Sequence, residues 1–183
     1  RAIKQRPGYA TAYFNKGNVL REMMRFQEAL EAYDRALAER DFDAARVNRG
    51  TTYNDLGRAR EAVDDFRRVL ARDSENINAL VRPAKAYRRL DERGDAAATL
   101  ARALRIDPDS VKARLEKSDF LRASKQLAAS LEIAEELADD HSDVPEVMLN
   151  LTDSLFHMRR LDEALAAIDK TIVSWPQMPA PYV

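Results

Sequence analysis

A small residue recurs along this chain at an almost constant interval, and no other feature limits the fold so tightly. Ala29, Ala62, Ala96, Ser130 and Ala164 are separated by 33, 34, 34 and 34 residues. Four residues after each stand Tyr33, Phe66, Leu100, Ala134 and Ile168, and three further on come Ala36, Val69, Ala103, Leu137 and Thr171. Spacings of four and seven place these side chains on one face of a helix. A second small series, Gly17, Gly50, Ala84, Ser118 and Thr152, runs twelve residues ahead of the first. Three residues after its members stand Leu20, Tyr53, Tyr87, Leu121 and Leu155. Short segments such as Leu56-Gly57-Arg58 and Leu90-Asp91-Glu92 separate the two series, a length that joins antiparallel helices. Small residues facing each other across such a hairpin let the helix axes approach closely. One hairpin alone cannot bury its apolar face, whereas stacked hairpins can.

The period, the alternation of small and large residues, and prolines at Pro7, Pro108 and Pro176 resemble the tetratricopeptide repeat. The clearest copy is Tyr13, Gly17, Leu20, Ala29, Tyr33 and Ala36, and the resemblance runs through the whole chain. The motif's tryptophan is missing from every copy, and the fourth has Ala134 where an aromatic is usual, so that repeat is expected to pack least well. The fold class expected is all-α, a right-handed α-solenoid of stacked helix-turn-helix hairpins. Five full repeats are read at 10–42, 43–76, 77–110, 111–144 and 145–178, giving ten full-length helices. Residues 1–9 read as the tail of a preceding repeat and 179–183 as the start of a further one. The first repeat is one residue short, and the loss falls in the loop around Asp41, where deletions are best absorbed.

Composition agrees with helices and excludes several function classes. Gly and Pro number only 5 and 7 among 183 residues, and Cys is absent, so neither a disulfide framework nor a thiolate metal site can exist. That absence also leaves a reducing compartment open and weighs toward a cytoplasmic setting. No apolar stretch approaches a membrane span. The two histidines, His141 and His157, lack the spacing of a helical zinc pair, and the isolated glycines build no phosphate-cradling loop. No catalytic residue, metal site or cofactor is therefore expected. Asn150-Leu151-Thr152 matches a glycosylation triplet but falls within a helix.

What remains is binding. Stacked hairpins form an inner groove lined by their first helices. Its candidate residues in the first two repeats are Asn15, Asn18, Arg21, Asn48, Thr51 and Asn54, amides and hydroxyls suited to gripping an extended backbone. In the third repeat Arg82, Lys85 and Arg89 share a face, and Lys112 and Arg122 follow on the fourth, so an acidic segment is the expected ligand. Some co-chaperones of the resembled family hold a C-terminal carboxylate in a clamp of lysines, asparagines and one arginine. Asn18, Asn48 and Arg82 fall on three clamp positions, while Phe14 and Asn78 replace its two lysines. Basic residues alternate with acids and no basic platform interleaved with aromatics is present, which argues against nucleic acid. The reading is a protein-interaction scaffold that binds a peptide or protein segment. The alternative is the substrate-recognition array of a larger enzyme, for example a glycosyltransferase, with its catalytic domain outside this chain. Charge is uneven: residues 1–130 carry a net +7 and 131–183 a net −8. Leu165, Ile172 and Trp175 are expected on the outer face of the last helix, favouring end-to-end self-association through a basic mate.

Overall fold

The computed structural model describes residues 7–176, and all regular structure among them is helical. The helices are α1 (Pro7–Glu22), α2 (Phe26–Glu39), α3 (Asp43–Asp55), α4 (Ala59–Leu70), α5 (Ile77–Val81), α6 (Ala84–Arg89), α7 (Arg93–Ile106), α8 (Val111–Ala123), α9 (Leu127–Asp140), α10 (Pro145–His157) and α11 (Leu161–Ser174). They form the ten arms of five hairpins, in two compact units that divide between Ile106 and Asp107. The first unit holds α1/α2, α3/α4 and α5–α6/α7; the second holds α8/α9 and α10/α11. By this division the first unit carries 22 Lys+Arg against 16 Asp+Glu and the second 8 against 15, so they are charged +6 and −7.

One arm departs from the expected ten full-length helices. The first helix of the third hairpin is two short pieces, α5 and α6, because Pro83 interrupts it. Proline has no N–H to continue the ladder, and its ring crowds the carbonyl one turn back. The backbone stays right-handed there, with Pro83 at φ −74 and ψ −8, and the ladder resumes where Tyr87 N–H donates to the Pro83 carbonyl at 2.9 Å. The loop expected to absorb a deletion, Arg40 to Phe42, is three residues long, whereas four separate α7 from α8 and α9 from α10. Residues 1–6 and the expected start of a further repeat at 179–183 lie outside the described residues; α1 begins at Pro7, ahead of the expected start at Ala10.

Each hairpin turns by one device. Met24, Gly57, Asp91, Lys125 and Arg159 sit two residues past the end of a helix, with φ of 58, 76, 59, 62 and 63. Past each of them, the next N–H reaches back to the carbonyl of Leu20, Tyr53, Tyr87, Leu121 or Leu155, at 2.8–3.0 Å. This paired closure satisfies helix-end carbonyls that would otherwise lack donors. Only Gly57 is the residue type that adopts a left-handed backbone without steric cost.

The two small series meet inside the hairpins. Ala29, Ala62, Ala96, Ser130 and Ala164 are all buried, as are Gly17, Gly50, Ala84 and Ser118. Tyr33 and Phe66 are fully buried against the opposite arm: a methyl added at Gly17 would lie 2.5 Å from Tyr33 Cε1, and one at Gly50 would lie 3.0 Å from Phe66 Cζ. The fourth hairpin, expected to be the loosest because of Ala134, closes by polar contacts instead. Ser118 Oγ donates to the Ser130 carbonyl at 3.1 Å, and Ser130 Oγ donates to the Ser118 carbonyl at 2.9 Å. The Ser154 hydroxyl lies 3.3 Å from Ser130 Oγ, extending the buried chain toward α10. At the last hairpin Leu165 and Ile172 are 60% and 59% exposed, as expected of an outward face. Trp175 is not: it is half-buried against the cluster of Leu131, Met148, Leu155, Ala164 and Ala167.

Candidate peptide-binding grooves

In the first unit the first helices α1, α3 and α5–α6 bring several expected residues into one polar network. Asn18 Oδ1 accepts from the Tyr33 hydroxyl at 2.9 Å and from Asn48 Nδ2 at 2.8 Å. The Tyr33 phenol is raised above its ordinary pKa, chiefly by burial, with the Arg21 charge opposing. Arg21 Nη2 reaches Glu22 at 3.1 Å, while its buried Nε has no partner among the described residues. Phe14, where the clamp would have a lysine, instead stacks in an aromatic trio, its centroid 6.2 Å from Tyr33 and 5.3 Å from Phe42. Asn15 is exposed beside this network and Asn78 is exposed on α5.

The third hairpin is stitched to the second by the same group of residues. Arg82 Nη1 donates to Thr51 Oγ1 at 3.3 Å, and Asn54 Nδ2 donates to the Arg82 carbonyl at 3.0 Å. Arg89 donates to the Asn54 carbonyl. These contacts hold Arg82 and Arg89 in place; Lys85, one turn along, is exposed. One carboxylate feels all of these charges. Asp55, at the end of α3, feels Arg21, Lys85, Arg82 and Arg89, and its carboxyl is nonetheless raised above the usual aspartate range because desolvation outweighs them. The groove thus holds an excess of positive charge, four cations acting on this one exposed carboxylate. Its only trace in the sequence is the acid next to Asn54; nothing in the spacing joins it to α1 or α6.

A second polar system outside the groove was equally invisible to spacing. Asp65 on α4 is buried and receives Arg49 Nε at 2.7 Å and Nη2 at 2.6 Å, with Arg46 Nη1 at 3.5 Å. Arg49 also donates to Asp34 at 2.5 Å, and Arg46 to Asp41 at 2.7 Å. Desolvation weakens the Arg49 charge, but Asp65 and then Asp34 more than restore it, so it stays protonated. These pairs fasten α2, α3 and α4 together.

In the second unit Lys112 and Arg122 meet a different environment from the basic face expected of them. They line a cleft of about 330 Å³ between α8 and α10, together with Glu116, Asp119, Glu146 and Asp153. Arg122 is engaged by Asp119 at 2.7 Å and by Asp153 at 3.1 Å. Asn150 Nδ2 donates to the same Asp119 oxygen at 2.8 Å. The cleft therefore carries four carboxylates against two cations. Among the described residues no group of three or more His, Asp and Glu side chains is placed to hold a metal ion, and no helix is long and apolar enough to cross a membrane.

Five hairpins with repeated small-to-large packing and a common turn are the architecture the sequence pattern implied. Profiles of the tetratricopeptide repeat match residues 10–40, 53–117 and 119–179. The chain belongs to the tetratricopeptide repeat family. Among curated proteins none matches it by sequence. Solved structures do match. A thermophilic tetratricopeptide repeat protein of Thermus thermophilus aligns with a TM-score of 0.85 at 22% identity, over 92% of each chain. YrrB, described as having an unusual peptide-binding site, aligns at 0.58 and 22% identity, over 96% of this chain and 91% of its own. The first repeat domain of Spaghetti (RPAP3), solved with an HSP90 peptide, aligns at 0.61 and 21% identity, over 69% of this chain and 99% of its own. At these identities the likeness is one of fold: an all-helical repeat of the α-solenoid class.

Proposed function

We propose that this chain is a protein-interaction scaffold and that its first unit grips an acidic or carboxylate-terminated segment. The observation that carries the reading is the basic face of Arg82, Lys85 and Arg89, with Arg82 and Arg89 pinned by Thr51 and Asn54, whose charges together with that of Arg21 act on Asp55. On the neighbouring first helices Asn15 is exposed, and Asn18 Nδ2 and Asn48 Oδ1 are the amide groups left for an extended backbone, while Thr51 and Asn54 brace Arg82. Membership of a repeat family supports the reading, as do neighbours whose structures concern peptide binding. The lysines of the carboxylate clamp are replaced by Phe14 and Asn78, so the anion grip falls to the third hairpin.

Titration with a short glutamate-rich peptide tests this. Binding is expected to be weak and salt-sensitive, because the cations lie at a partly solvated surface. Lys85→Glu alone, and with Arg82→Glu, should weaken and then abolish it. Affinity unchanged by the double variant refutes the groove assignment. A second association surface follows from Leu165 and Ile172, exposed on α11 within the acidic unit. Its mate is the basic unit of another copy, through charge complementarity, in a head-to-tail contact.

A further inference from the structure

The cleft of the second unit differs from the first groove in charge sign, and two buried atoms in it, Asn150 Oδ1 and Arg122 Nη1, lack a hydrogen bond. Asn150 is only 7% exposed. Its Nδ2 is committed to Asp119, and its Oδ1, shielded from solvent, has no partner in the protein. A buried amide oxygen in that state is an acceptor awaiting a donor. Arg122 is drawn into ion pairs by Asp119 and Asp153, and its own buried Nη1 lacks a hydrogen-bond acceptor, a need that a ligand's backbone carbonyl would meet.

The rest of the cleft narrows what that donor can belong to. Leu115 on α8 and Leu149 on α10 supply apolar wall, suited to an aliphatic stem. Glu116 and Glu146 supply negative charge, and Glu146, exposed in the first turn of α10, forms no ion pair among the described residues. An acidic ligand would meet four carboxylates here. We infer that the cleft between α8 and α10 takes a lysine- or arginine-bearing peptide segment, with a ligand N–H donating to Asn150 Oδ1 and the cationic side chain lying along Leu115 and Leu149 toward Glu146. The inference rests on the scaffold reading above and deepens it: one chain presents two grooves of opposite preference, basic in the first unit and acidic in the second.

The test uses the full chain and two short end-blocked peptides, lysine alternating with alanine and glutamate alternating with alanine. The lysine peptide should bind and shift the Asn150 side-chain amide resonances in a nitrogen-edited NMR spectrum. Glu146→Gln should weaken that binding by about fivefold, the effect of one partly solvated ion pair. Glu132→Gln removes the same unit of charge from the exposed face of α9, away from the cleft, and should change affinity by less than about twofold. Equal losses in the two variants would mean diffuse attraction to an acidic unit and overturn the site. So would lysine-peptide binding that leaves the Asn150 resonances in place. If the glutamate peptide binds and the lysine peptide does not, the cleft assignment fails while the first groove stands. If neither binds, the scaffold reading fails with it.

Discussion

The close approach of the helices in the first hairpin can be measured by adding a single methyl group. A Cβ at Gly17 would stand 2.5, 2.7 and 2.9 Å from Tyr33 Cε1, Cδ1 and Cζ. Carbon atoms in contact sit at about 3.5–4.0 Å, so the ring must retreat by roughly 1 Å. It has nowhere to go: Tyr33 is fully buried among Leu20, Ala29 and Ala32, and its hydroxyl is tied to Asn18 at 2.9 Å. Overpacking of this kind costs about 1–3 kcal/mol, here toward the upper end. Removing a glycine from a helix interior returns about 1 kcal/mol. Gly17→Ala should therefore destabilise the first unit by about 1–2 kcal/mol. Gly50→Ala is the comparison. Its Cβ would lie 3.0 Å from Phe66 Cζ and 3.2 Å from the two flanking carbons. Phe66 has no hydroxyl to hold it, and a pivot of a few tenths of an ångström suffices, so strain and propensity should cancel to within about 0.5 kcal/mol. Gly94→Ala meets nothing within 4 Å and calibrates the propensity gain in the same unit. Urea melts followed by far-ultraviolet circular dichroism report all three. If Gly17→Ala costs no more than Gly50→Ala, close packing of the Tyr33 ring is not what the small residue at 17 provides.

Four further outcomes are expected. Asp65→Ala should destabilise the first unit by about 3 kcal/mol in the same melts, because Arg49 and Arg46 lose the one buried carboxylate they share. Asp55→Asn should tighten glutamate-peptide binding at neutral pH by removing the internal competitor. The raised folded pKa also means that Asp55 costs stability as pH climbs past the ordinary aspartate range, a slope the variant should lose. Lys125→Gly should raise the stability of the second unit by about 0.5 kcal/mol, since Lys125 holds φ 62 at the turn between α8 and α9. Light scattering over a concentration series should show association that Leu165→Glu with Ile172→Glu removes, and a parent that stays monomeric throughout would refute the head-to-tail contact.

Much of the fold was readable along the chain, because what it depends on is local. Burial of a helix face follows from spacing, so the positions of Ala29, Tyr33, Ala62, Phe66, Ala96 and Leu100 could be assigned before any packing was known, and all are buried. The turns were placed by their distance from those faces. Their left-handed residue was not readable, since Met24, Asp91, Lys125 and Arg159 share no chemistry. The main chain reversal forces that conformation, whichever residue occupies it. Pro83 leaves no mark on the register: the break costs hydrogen bonds but keeps the buried face of α5 and α6 in phase.

Polar partnership is where reading along the chain stopped. The period put Arg21, Arg82, Lys85 and Arg89 on first helices. It could not show that the charges of all four act on Asp55, nor that Lys112 and Arg122 lie among carboxylates instead. Asn18 meets Asn48 across 30 residues and Arg49 meets Asp65 across 16, separations with no common interval. Burying an apolar side chain is non-directional, so any neighbour of suitable size serves, and spacing alone determines the outcome. A hydrogen bond or ion pair is set within a few tenths of an ångström by rotamers and by how far one helix axis lies from the next. The sequence by itself therefore determined the repeat, its register and its buried faces. Only the tertiary structure decided which charges meet.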